Sequence, residues 1–180
     1  MSRFFKAGTI ALLAGLLLGL PGHAPAQQQQ SVGSEQDWSI FEASANGSKV
    51  CWIASQPTKS AAFRDGKTVQ VRRGDIFLMI SIRPADGVKN EVSFISGYPF
   101  KKGSEVETEV GGKKFTMFTE GENAWAPSAA DDNALDTAFR AGADAKVEGV
   151  SSRGTRTVDT FSLMGFTAAL DKATGLCSSG

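Results

Sequence analysis

The chain has 180 residues, and its 19 Lys and Arg are balanced by 19 Asp and Glu, so no strong field exists to hold nucleic acid or an anionic membrane by charge alone. The one histidine is His23. Beyond it there is no imidazole for Ser-His or Cys-His nucleophile activation, for zinc, copper or non-haem iron ligation, or for a charge switch near neutral pH.

In chain order, Arg3 and Lys6 precede an uncharged apolar run from Ala7 to Leu20, followed by Pro21, Gly22 and Ala24-Pro25-Ala26. A charged start, a short apolar centre and a small-residue A-x-A site predict a cleavable signal peptide over residues 1–26. The run is about 14 residues, short of the roughly 20 that a membrane span needs, so no stable span is expected after cleavage. The expected address is the periplasm or cell envelope, with secretion or outer-membrane association as variants of it. Cleavage would remove His23 and leave a slightly acidic, histidine-free chain. Residues 27–36, with four consecutive Gln, have no apolar period and read as a disordered polar leader to one domain over 37–180.

Trp38 to Phe41 and Val50 to Ile53 read as the first strands, joined by an Asn46-Gly47 turn. That turn also carries a glycosylation sequon, Asn46-Gly47-Ser48, for which the turn reading is preferred. Pro57 to Gly66 reads as a loop. Ile76 to Arg83 is almost continuously apolar and is expected as a central strand covered on both faces. Pro84 to Asn90 turns the chain into a strand from Glu91 to Ser96. Glu105, Glu107 and Glu109 alternate with Val106, Thr108 and Val110, giving one wet and one buried face. Gly111-Gly112 signals a hairpin into Lys113 to Thr119, with Lys114 facing a glutamate.

Asp131 to Ala141 predicts a helix capped at its start by Ser128, Asp131 or Asp132, with Gly142 as a left-handed C-cap. Lys146 to Val150 and Thr157 to Leu163 form a further strand pair around Ser151-Ser152-Arg153-Gly154. Phe166 to Lys172 reads as a short second helix ending near Gly175. About eight strands and two short accessory helices predict a mainly β, single antiparallel sandwich or barrel-like domain.

Cys51 and Cys177 form an even pair, which in an oxidising compartment reads as a disulfide; two separate buried thiols are the alternative. Lacking C-x-x-C spacing, they do not suggest redox catalysis. Motifs for serine hydrolases, phosphate-binding loops, dinucleotide sites, zinc proteases and calcium loops are all missing. No catalytic residue, cofactor or metal is therefore expected. The aspartates sit near glycines, turns and helix starts, where they commonly cap the backbone.

Two clusters remain as candidate binding features. Tyr98-Pro99-Phe100 with Lys101 and Lys102 reads as an aromatic, basic loop tip, or as a turn that tucks Phe100 into the core with the lysines outside. Arg153 and Arg156 near a hairpin turn suit a carboxylate or phosphate, or an internal ion pair with Asp159 or a nearby glutamate.

Several of these segments carry a resemblance. Gly97 to Ser104, Phe115 to Gly121 with Ala124-Trp125, Arg140-Ala141-Gly142, Arg153-Gly154-Thr155 and Asp159 to Ala169 resemble the invasion associated locus B family. Trp38, Cys51 and Arg72-Arg73-Gly74-Asp75 are similar to that family as well. The resemblance covers most of the chain from Trp38 to Cys177, and its C-terminal block is the most specific part. It implies an exported envelope protein of Gram-negative bacteria whose pathogenic relatives support host-cell invasion, and it carries over no catalytic residue.

The resulting expectation is a non-enzymatic envelope module that binds an envelope or host protein through loop residues Tyr98, Lys101, Lys102, Arg153 and Arg156. The alternatives are a periplasmic hydrolase with a Ser-Lys or carboxylate pair assembled in space, and a structural or chaperone-like protein using an exposed strand edge.

Overall fold

The computed structural model describes residues 29–45 and 47–178. The expected signal peptide, and Asn46 of the expected turn and sequon, lie outside the described residues.

Among the described residues, twelve strands form one hydrogen-bonded sheet. They are β1 (Gln30–Glu35), β2 (Trp38–Ala45), β3 (Ser48–Ser55), β4 (Lys59–Arg64), β5 (Lys67–Thr68) and β6 (Phe77–Arg83), then β7 (Val88–Ile95), β8 (Glu105–Val110), β9 (Lys113–Glu120), β10 (Asn123–Trp125), β11 (Asp144–Val150) and β12 (Arg156–Ser162). The helices are α1 (Ala129–Ala141) and α2 (Phe166–Ser178). The sheet order is β1-β2-β3-β6-β7-β10-β9-β8-β11-β12-β4-β5, and every pairing is antiparallel.

The sheet is open at β1 and β5, yet it curls back on itself. Phe94 of β7 and Phe161 of β12 are separated by four strands in the sheet order, but their rings meet edge to face at 6.1 Å. The mainly β, antiparallel reading with two helices therefore agrees with the structure; the sheet is curled but not closed. Its edges are a two-residue strand and a polar strand whose register slips between Ser31 and Gly33. Short, bulged, polar edges resist further strand addition, which counts against the strand-edge reading.

Four strands were not anticipated. Gln30–Glu35, expected as part of a disordered leader, pairs with β2 and sets Val32 against the core. It lacks an apolar period because only one of its residues packs inward, and its order comes from the free edge of β2. Lys59–Arg64, expected as a loop, pairs with β12 through Ser60↔Asp159 and Ala62↔Thr157. Its alanines carry little intrinsic strand preference, and the partner strand supplies what they lack. Lys67–Thr68 and Asn123–Trp125 are too short to show an alternation.

The strand expected to be covered on both faces is covered fully on one. Leu78, Ile80 and Ile82 of β6 are buried, whereas Phe77, Met79 and Ser81 are half-buried. The helices lie against the same apolar interior. In α2, Phe166, Ala169, Leu170, Ala173 and Cys177 form the buried stripe. Phe166 meets Trp38 and Phe139 edge to face at 5.0 and 5.3 Å. The indole N–H of Trp38 donates to the Ser162 carbonyl at 3.1 Å, satisfying its polar end inside the core.

Helix α2 also runs past Gly175, where an end was expected. A glycine inside a helix costs about 1 kcal/mol against alanine. Here the stripe continues to Cys177, which is disulfide-bonded to Cys51 of β3 with a Cα–Cα distance of 5.9 Å. Ser128 caps α1, its hydroxyl accepting from the Asp131 N–H. Gly142, expected in a left-handed conformation, has φ −89° and ψ 162° instead. Its reason is space: a Cβ there would lie 2.5 Å from Val110 Cγ1 and 3.0 Å from Leu163 Cδ1.

Candidate functional site

Four chain segments converge at one end of β12. The first is the crossing that leaves β5 and enters β6, carrying Gln70, Val71, Arg72 and Arg73. The second is Gly97-Tyr98-Pro99 after β7. The third is the β11–β12 hairpin turn from Ser151 to Thr155. The fourth is Arg64 at the end of β4. Together they line a cleft of about 540 Å³.

The crossing is fastened by two contacts. Gly74 N–H donates to the Gly97 carbonyl at 2.8 Å. Gly97 has φ +69°, and a Cβ on it would lie 2.5 Å from the Gly74 carbonyl oxygen, so only glycine allows both the turn and this approach. Arg73 then points inward. Its guanidinium donates to Asp159 Oδ1 and Oδ2 at 2.8 and 2.7 Å and to the Ser96 carbonyl at 2.9 and 2.7 Å. Ser60 also donates to Asp159 at 2.7 Å. Asp159 is wholly buried and Arg73 nearly so, which makes this a desolvated, bidentate pair with its remaining acceptors filled.

The Tyr98 ring lies under the Arg73 guanidinium at 4.9 Å, and its hydroxyl shares a 2.6 Å hydrogen bond with Thr157. Burial pushes the Tyr98 phenol above its ordinary value, and the Thr157 hydrogen bond and the Arg73 charge oppose this. The phenol therefore stays neutral at physiological pH. The hairpin turn is held against this segment by Ser152 N–H to the Pro99 carbonyl at 2.8 Å and Lys101 N–H to the Val150 carbonyl at 2.9 Å.

The charge balance of the cleft is one-sided. Arg64, Arg72, Arg73 and Arg153 line it, and among the described residues no carboxylate does. Arg73 is neutralised from behind by Asp159. Arg64 donates only to the uncharged Thr155 hydroxyl, at 3.2 and 2.7 Å. Among the described residues, the side chains of Arg72 and Arg153 form no hydrogen bond or ion pair. Three arginines without a carboxylate partner thus line one concavity. The cleft is locally cationic, although the chain as a whole is balanced.

The five candidate contacts are divided by the structure. Tyr98 and Arg153 both line the cleft. Tyr98 is a half-buried wall and not an exposed tip, and Phe100 is tucked into the core. Lys101 and Lys102 are exposed on the turn beyond and do not line the cleft. Arg156 is turned away, bound to Glu148 at 2.6 Å and stacked over Phe63 at 4.4 Å. Arg64, Arg72 and Arg73 were not singled out as contacts. The adjacent Arg72-Arg73 before a glycine was their only local signal, and nothing local says which arginine turns inward.

Two other cavities have different character. One, of about 530 Å³ beside α2, contains Arg140 and Asp171, which are bonded to each other at 2.9 Å. Another, of about 460 Å³, lies beside the stacked Phe118 and Trp125 and is lined by Glu91, Glu120 and Asp132. Glu91 there is held by Arg83 at 2.9 Å, and Asp132 accepts from the Val92 N–H at 2.8 Å. Ser151 and Ser152 line the cationic cleft, but no lysine does.

No curated protein matches the chain. Among solved structures, the fold is similar to the crystal structure of invasion associated protein b from Bartonella henselae. That likeness has a TM-score of 0.53 and 18% identity, and it covers 83% of this chain and 97% of that one. Residues 38–174, from the first core tryptophan into α2, match the family described as invasion associated locus B protein, and the chain belongs to that family.

Proposed function

We propose that this protein is a non-enzymatic binding module of the bacterial envelope, and that the arginine-lined cleft is where its partner docks. One observation carries the reading: among the described residues, three arginines without carboxylate partners line a single concavity that holds no acidic side chain. Arg64, Arg72 and Arg153 are exposed, so water solvates them in the free protein and their fork-shaped donors stay available to a partner that supplies the anion. Export is supported by the signal-like leader, and an envelope address by the family. A link to host-cell invasion, as in the name of the Bartonella protein, is the role that such binding would serve in a pathogen.

Capture from detergent-solubilised envelope, analysed by mass spectrometry for proteins, lipids and glycans, tests the cleft. The doubly substituted Arg72→Ala/Arg153→Ala protein is expected to lose the partner that the parent retains. Arg156→Ala, which removes only the outward Glu148 pair, is expected to keep it. Equal recovery by the parent and the double variant would remove the cleft from the proposal.

A further inference from the structure

Resting on the cleft as the binding site, we infer that its ligand carries a phosphate monoester, with the organic part of the ligand lying along Val71, Tyr98 and Pro99. The donor count favours phosphate over carboxylate. A carboxylate carries a single negative charge, so one held by Arg72 would leave the charges of Arg153 and Arg64 uncompensated. A phosphate monoester has three terminal oxygens and a charge of about −1.5 to −2 at neutral pH, enough for more than one fork. The Arg64 side chain is already anchored on Thr155, so its position is preset.

Size and polarity argue for more than the inorganic ion. A cleft of about 540 Å³ far exceeds one phosphate group and falls within the range typical of small-molecule sites. Its wall is not uniformly polar. Val71 is 40% exposed, one of three large apolar side chains so exposed among the described residues, and it lines this cleft. The Tyr98 ring and Pro99 line it too. Arg73 does not serve as a ligand, because Asp159 neutralises its charge and four of its five N–H donors are taken by Asp159 and Ser96. Its part is to hold the crossing in place, so that Arg72, the residue before it, lines the cleft.

The chain has one tyrosine, Tyr98, so protein labelled only at tyrosine reports from this wall alone. Glucose 6-phosphate is expected to shift the Tyr98 ring resonances saturably, and glucose at the same concentrations is not. In Arg72→Ala/Arg153→Ala the affinity should fall by about tenfold or more, the loss expected for two charge-assisted contacts. A Tyr98 ring signal unchanged from the parent before titration verifies that the variant is folded. Phosphatidylcholine vesicles doped with phosphatidic acid separate the sources. Broadening of the signal by these vesicles, and not by plain ones, assigns the phosphate to a lipid headgroup; no broadening, with glucose 6-phosphate still bound, assigns it to a soluble ligand. Equal shifts from glucose and glucose 6-phosphate, or from acetate and glucose 6-phosphate, overturn the phosphate assignment. If envelope capture still depends on Arg72 and Arg153 in that event, the cleft stands as a binding site and only the ligand class falls.

Discussion

At the scale of single residues, the most consequential pair is Arg73 and Asp159. Asp159 is wholly buried, and among the described residues its charge is met by the Arg73 fork and the Ser60 hydroxyl. Removing one member of a buried pair leaves an uncompensated charge, so Arg73→Met should cost about 3–5 kcal/mol. Adding Asp159→Leu removes that charge and should restore part of the loss. Urea denaturation of the parent, the single and the double variant checks this; a double variant weaker than the single one would show that the pair is more than its charge. Asp132 behaves oppositely. Burial raises its pKa above the ordinary 3.8, against the hydrogen bond from Val92 N–H. The folded chain then holds this proton more tightly than the unfolded chain, so its contribution to stability declines as pH rises through the interval above 3.8. Asp132→Asn keeps an oxygen for Val92 and abolishes the titration. It should be more stable than the parent at neutral pH, with the gap closing on acidification below 3.8. Urea midpoints across pH measure the gap, and one that widens on acidification contradicts the assignment.

At the scale of elements, the crossing from β5 to β6 decides whether the cleft exists. It has no regular secondary structure, and its course is set by the Gly74–Gly97 approach and the inward Arg73. Gly97→Ala puts a methyl group 2.5 Å from a backbone oxygen at a positive φ. The cost should exceed the roughly 1 kcal/mol usual for such a substitution, because backbone must also move. Loss of the Tyr98–Arg73 stacking should accompany it, visible as a change in the Tyr98 ring resonances. An unchanged Tyr98 signal with parental stability would show that the crossing tolerates displacement. The sequence made the β8–β9 hairpin plain, since a Glu-Val alternation, Gly111-Gly112 and Lys114 all point one way, and Lys114 meets Glu107 at 2.7 Å. It left β4 hidden, because Lys59-Ser60-Ala61-Ala62 has no strand signal apart from its partner.

At the scale of the whole molecule, the disulfide ties β3 near the start of the domain to the last turn of α2, across 126 residues. Closing so long a loop restricts the unfolded chain, worth about 4–5 kcal/mol in the entropic account. Cys51→Ala/Cys177→Ala should therefore lower stability by about 2–5 kcal/mol, read from the urea midpoint. Thiol labelling of the denatured, unreduced parent should find no free thiol, and two labelled cysteines would contradict the bond.

What the sequence determined by itself was the mainly β class, most strand positions, both helices and the absence of histidine chemistry beyond residue 23. These follow from periodicity, turn residues and residue counts, which depend on near neighbours or on none. The cleft was decided only by the tertiary structure. Its arginines stand at positions 64, 72, 73 and 153, and a guanidinium is the same local signal whether it is paired or free. Arg156 and Arg153 are three residues apart, yet one meets Glu148 and the other meets none, because strand register brings a glutamate to one side only. Arg73 turns inward because the pairing of β4 with β12 sets Ser60 opposite Asp159 and leaves a buried carboxylate to be neutralised. Long-range pairing sets the partner of each charge, and the partners decide which charges remain for a ligand.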